Sequence, residues 1–147
     1  MEPLPAFALE ADAGERLVFG ALTILIRATA ETTGGAFCLF EEVPPIADTP
    51  LHVHENEDEL FYVLEGEHLV RVGNDEYRVG PGGLVFAPRG IPHSQRRAIP
   101  GQGRELVLTA PAGLEGFFRE LAAAEDAGTL GPDAYAAASA RYGITWL

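Results

Sequence analysis

The chain has one cysteine, Cys38, so no intrachain disulfide can form and a reducing cytoplasm is its expected home. Basic side chains are scarce: 10 Lys and Arg stand against 22 Asp and Glu, a formal net charge of −12. Phosphate binding needs a basic patch, so nucleic acid is excluded as a partner, and an anionic membrane surface with it. No apolar run reaches the length of a membrane span. The opening stretch, MEPLPAFALEADAGER, lacks a basic region followed by an apolar one, and no signal peptide is expected. The expectation is a soluble intracellular chain, 47% hydrophobic, with abundant Gly and Pro. At 147 residues it is the size of one domain. Such a chain buries roughly 68–70% of its unfolded surface and needs no structural metal to fold.

Short β-prone runs separated by Gly and Pro dominate the first three quarters of the chain. Residues 1–14 read as an extended arm able to pair with a neighbouring subunit. RLVFGALTILIRA, from Arg16 to Ala28, predicts one long strand, and AFCLFEEV a second after the turn at Gly34-Gly35. Pro44, Pro45 and Pro50 break regularity before LHVHENEDELFYVLEG. EHLVRV, EYRV, GLVFAP, PHSQRRA and RELVLTA follow, with turn chemistry between them. This spacing predicts an all-β sandwich or barrel rather than a parallel α/β sheet.

The tail changes period. Leu114, Phe117, Phe118, Leu121 and Ala122 fall on one face of an amphipathic helix ended by Gly128. Pro132 opens a second helix that stops at Gly143. The helices are expected to close one side of the barrel; covering a dimer interface is the alternative. The division expected is a barrel with its arm over 1–112 and a helical extension over 113–147, within one domain.

Strand alternation places His52 and His54 on one face with Val53 opposite. Two imidazoles side by side can grip one metal ion, and a third nitrogen donor with a carboxylate would complete a site for a first-row transition metal. Glu59, heading the next strand, and His93 are the candidates. Gly82, Pro88 and Gly90 shape the tight connection that delivers His93. Three of the four histidines therefore occupy this pattern. Glu55, Glu57 and Asp58 read as solvated turn charges, and His68 as a surface residue. Cys38 either faces the pocket or is buried structurally. Phe61, Val63 and Phe86 are pocket walls or core.

These residues carry a resemblance. His52, His54, Glu59 and Gly66 match the first cupin motif, G-x5-H-x-H-x3–4-E-x6-G. Gly82, Pro88, Gly90 and His93 match the second, G-x5-P-x-G-x2-H-x3-N. The chain resembles the cupin superfamily, which implies a jelly-roll barrel (a double-stranded β-helix) with one or two C-terminal helices. It also implies that His52, His54, Glu59 and His93 bind one divalent ion, with Fe, Mn, Ni, Co, Cu and Zn all compatible with this ligand set. Two positions depart from the pattern: Ile46 replaces the first glycine and Arg97 the final asparagine. By alternation His93, Gln95 and Arg97 share a face. Either Gln95 or Arg97 meets a polar or anionic substrate, with Phe61 as an apolar neighbour, or the strand bulges away and leaves Arg97 solvated. The second outcome is the one expected.

The tail makes the chain similar to single-domain cupins related to quercetin dioxygenase. That likeness implies a dioxygenase acting on a small enolisable or hydroxylated aromatic, flavonol-like substrate, with dioxygen as co-substrate and a homodimeric state. Glu59 would then stay bound or act as general base for a substrate hydroxyl. The alternatives are a metal-dependent isomerase or cyclase-type tailoring enzyme, and a non-catalytic cupin that binds metal or a small molecule.

Overall fold

The computed structural model describes residues 2–147. The first apolar run is two strands rather than one. Gly20, at φ 56°, turns the chain between β1 (Glu15–Phe19) and β2 (Leu22–Ala28), which pair antiparallel. Gly takes this positive φ without steric cost, and the run is apolar on both sides of the turn, which is why its composition reads as continuous. Residues 2–10 form no strand and are exposed; Arg27 Nη1 donates to the Glu10 and Ala13 carbonyls.

A single helical turn, α1 (Ala30–Thr33), follows a capping box in which Thr32 Oγ1 accepts from Thr29 N at 2.9 Å. The chain then runs through β3 (Cys38–Glu42), β4 (Thr49–His54), β5 (Asp58–Glu65), β6 (His68–Val72), β7 (Asp75–Val79), β8 (Leu84–Ala87), β9 (His93–Arg97) and β10 (Arg104–Ala110). After them come α2 (Leu114–Asp126), α3 (Pro132–Tyr142) and β11 (Ile144–Trp146). No helix among the described residues is long and apolar enough to cross a membrane.

The strands form two antiparallel sheets, ordered β1-β2-β3-β10-β5-β8 and β11-β4-β9-β6-β7. This is the jelly-roll arrangement expected of the motifs. Alternation holds along the strands that matter. On β5, Glu59, Phe61 and Val63 are buried; on β9, His93, Gln95 and Arg97; on β10, Glu105, Val107 and Thr109.

The α2 stripe is buried as its period predicts. Phe118 stacks on Phe19 at 5.9 Å between centroids and meets Phe40 edge-on at 4.8 Å. Full burial of each such side chain stabilises the fold by about 1.5–3 kcal/mol. The C-cap of α3, Gly143 at φ 68°, is tied to the β4–β5 turn: its carbonyl accepts from Glu55 N at 2.9 Å, and Asn56 Nδ2 donates to the Tyr142 carbonyl. The last apolar residues add strand β11 to the edge of β4, with Trp146 opposite His52.

Candidate metal centre

A register irregularity on β4 builds the first half of the site. Thr49 lies opposite Gln95 and His52 opposite His93, so β4 carries one residue more than β9 across this interval. The extra residue falls at Pro50-Leu51, where a bulge tolerates proline. His52 and His54 keep to the inner face beyond it. The turn before β9 is pinned from both neighbours: Gly90 N donates to the His54 carbonyl at 2.8 Å, and Arg89 N to Asp58 Oδ1 at 2.9 Å. Asp58 also pairs with the Arg89 guanidinium, so it serves this turn and not the histidine cluster.

His52, His54, Glu59 and His93 converge. One nitrogen or oxygen from each lies within 4.8 Å of all the others, and all four residues are buried. His52 Nε2 is 3.1 Å from His54 Nε2, while Glu59 Oε2 is 2.6 Å from His93 Nε2 and 3.4 Å from His54 Nε2.

The other ring nitrogens settle the tautomers. His52 Nδ1 donates to the Pro50 carbonyl at 2.7 Å, His54 Nδ1 to Glu57 Oε1 at 3.0 Å, and His93 Nδ1 lies 3.4 Å from the Ile91 carbonyl. With each proton drawn to Nδ1, the three Nε2 lone pairs point at one another and at a carboxylate oxygen. Glu59 Oε2 and His93 Nε2 are buried without a hydrogen bond of proper geometry. Unmet polar atoms of this kind cost about 1–3 kcal/mol each, and a divalent cation at their focus would satisfy all four. The residues present fit a metal.

Electrostatics agree with that donor set at His52 and Glu59. Burial, with the neighbouring His93 and His54, pushes His52 down to about 4, so its ring is neutral near pH 7. Burial alone would raise Glu59, but its interactions with the His54 and His93 rings outweigh it and hold the carboxyl below its ordinary value. His54 is also penalised by burial, yet Glu59 and Glu57 raise it overall.

The cluster borders a cavity of ≈ 70 Å³ whose other walls include Phe19, Phe40, Phe61, Phe117 and Phe118. Trp146 closes one side, its ring 4.9 Å from that of His52 and its indole N–H donating to Ser139 Oγ at 2.9 Å. Thr49, Gln95 and Glu42 supply polar wall. Leu22, Thr49, Tyr135 and Trp146 border both this cavity and an apolar surface groove.

Several expectations are corrected. Arg97 is not solvated: β9 does not bulge, and the side chain is 0% exposed within a charged cluster. It lines no wall of the cavity, unlike Gln95 and Phe61. His68 is also fully buried, held by Glu105 and the Glu65 carbonyl. Glu57 is a buried partner of His54 rather than a solvated charge. Phe86 faces outward, 53% exposed, because β8 pairs Phe86 with the outward Leu60. Val63 and Cys38 are buried in the interior away from the cavity lining. Glu42 and Trp146, which the sequence did not single out, border the cavity.

The cupin domain family matches residues 39–104, a stretch that holds all four clustered residues. The chain is 31% identical over 117 residues to quercetin 2,3-dioxygenase of Bacillus subtilis strain 168, covering 78% of this chain. It spans about a third of that enzyme's length, 34%. Among solved structures, KdgF from Halomonas sp. superposes with a TM-score of 0.61 at 20% identity, covering 73% of this chain and 96% of that one. An RmlC-like cupin from Shewanella frigidimarina gives a TM-score of 0.62 at 18% identity, covering 76% and 96%. At these identities the structural likenesses are likenesses of fold.

Proposed function

Since this chain belongs to the cupin superfamily, we propose that it is a metal-dependent dioxygenase acting on a small enolisable or hydroxylated aromatic substrate. His52, His54, Glu59 and His93 are its metal ligands, for one divalent ion among Fe, Mn, Ni, Co, Cu and Zn. The observation carrying this reading is the convergence of three Nε2 lone pairs, each fixed by an Nδ1 contact behind it, on the Glu59 carboxylate. When bound there, such an ion supplies Lewis acidity, an orienting template and, if redox-active, electron transfer to dioxygen.

The chain's own groups do the rest. Glu59, held below the ordinary carboxylate range, is ionised at neutral pH and accepts the proton of an enol or phenol hydroxyl lying against it. Phe61 and the Phe117–Phe118 pair flank the substrate and exclude water from the cavity. Gln95 contributes a polar contact beside them. Residues 113–147 act in this reading as a cap on the barrel of residues 1–112. The identity with quercetin 2,3-dioxygenase across 78% of this chain favours dioxygen over the alternatives.

An oxygen electrode with a panel of flavonols and diketones tests the reaction. Oxygen uptake that needs both substrate and bound metal supports it. Substrate turnover without oxygen points to an isomerase or cyclase, and binding without turnover to a non-catalytic cupin. A homodimer belongs to the same proposal, supported by Tyr62, Leu84 and Phe86, exposed together on the outer face of β5 and β8. Sedimentation analysis checks it.

A further inference from the structure

The cavity has a polar floor whose chemistry the metal ligands do not use. Glu42, from β3, is the cavity-lining member of a charged cluster drawn from four strands. Arg97 Nη2, from β9, donates to Glu42 Oε2 at 2.9 Å and lies 3.5 Å from Glu105 Oε1 on β10. Arg97 Nη1 donates to Gln95 Oε1 at 3.1 Å and lies 2.8 Å from His68 Nδ1 on β6. His68 Nε2–H donates to the Glu65 carbonyl at 3.0 Å, and its Nδ1 lies between Arg97 Nη1 and Glu105 Oε2, 3.1 Å from the latter; burial, then the charge of Arg97, holds the ring below its ordinary value and so neutral.

The charges do not balance if both acids ionise. One guanidinium faces two carboxyls and a neutral imidazole, and the side chains of Arg97, His68 and Glu105 are 0% exposed. A buried charge without a partner is avoided by keeping a proton. Burial, then the charge of Glu105 across the β3–β10 pair, pushes Glu42 well above the ordinary carboxylate range; Arg97 opposes this and Glu59 adds to it. Glu105 sits behind, away from the cavity lining.

We propose that Glu42 is a second substrate-contacting group of this cavity: its carboxyl, clamped from behind by Arg97, donates a hydrogen bond to one oxygen of a small substrate whose other oxygen function lies at the four-residue cluster. The inference rests on the reading of the cavity as a substrate site and narrows the substrate class. It calls for two oxygen functions on one compact apolar body, as in a diketone or a hydroxylated aromatic ketone. Both terminal nitrogens of Arg97 are engaged by protein groups and the side chain lines no wall of the cavity, so it is not the anchor.

Infrared difference spectroscopy of wild type against Glu42→Gln at neutral pH tests the hydroxyl directly, with neither metal nor substrate required. The expected result is a protonated-carboxyl C=O band in wild type that is lost in Glu42→Gln. A band that survives in Glu42→Gln, or no band in wild type, overturns the proposal. Calorimetric titration with acetylacetone tests the contact. Glu42→Ala should weaken binding about tenfold, the size of one hydrogen bond, and Glu42→Gln, which keeps an N–H donor, should recover most of it. Equal affinity in wild type and Glu42→Ala overturns the contact. Metal content is read on the same samples. Wild type that holds no metal, or does not bind acetylacetone, counts against the cavity as a metal-dependent substrate site, whereas loss of binding confined to the Glu42 variants does not.

Discussion

His54 Nδ1 donates a 3.0 Å hydrogen bond to Glu57 Oε1, and both side chains are buried. This contact fixes which ring nitrogen of His54 faces the cavity. Glu57→Ala frees the ring to rotate and change tautomer, and should weaken metal affinity about 10–100-fold, as loss of a ligand's supporting partner does elsewhere. Competition with a chelator measures it. Glu55→Ala, an exposed neighbour, is the control and should leave affinity unchanged.

Arg97 is the one cation of the interior cluster, facing Glu42 and Glu105. Arg97→Ala leaves buried carboxyls without their partner and should destabilise the fold by about 3–5 kcal/mol in urea unfolding. A loss below about 1 kcal/mol, the value of an exposed pair, would contradict the placement.

Glu42 gives the stability a pH signature. A carboxyl whose folded value lies above its unfolded value of 4.5 binds its proton more tightly when folded. Its contribution is complete below the unfolded value and is lost as pH rises toward the folded one. Wild type should therefore lose about 1.4 kcal/mol per pH unit relative to Glu42→Gln within that window, with metal removed from both. Urea unfolding at a series of pH values reads the difference, and a flat or opposite trend would contradict the assignment.

Cys38 is fully buried, and burial, with the nearby Glu115, pushes its thiol well above the ordinary range. The native protein should resist iodoacetamide at mildly alkaline pH and react fully once unfolded in urea. Mass spectrometry counts the adducts.

Local chemistry made much of this molecule legible. The period-two pattern alone puts His93, Gln95 and Arg97 on one face, and the α2 stripe and both glycine stops of the tail read directly from the residues. What was hidden depends on partners from elsewhere. An arginine at position 97 looks solvated until Glu42 and Glu105 arrive from β3 and β10 to pair with it. Glu57 cannot be told from Glu55 by composition; only the fold of the turn brings it under His54. Phe86 faces outward because of the β5–β8 register, which no local pattern states. Trp146 reaches His52 only because the last residues add a strand to the edge of β4.

Metal content is the most direct test of the four-residue centre. Elemental analysis of purified wild type should give about one divalent ion per chain, the stoichiometry of a single mixed nitrogen and oxygen site. The His52→Ala/His54→Ala double variant, confirmed folded by circular dichroism, should give essentially none. Full metal content in that variant would contradict the account.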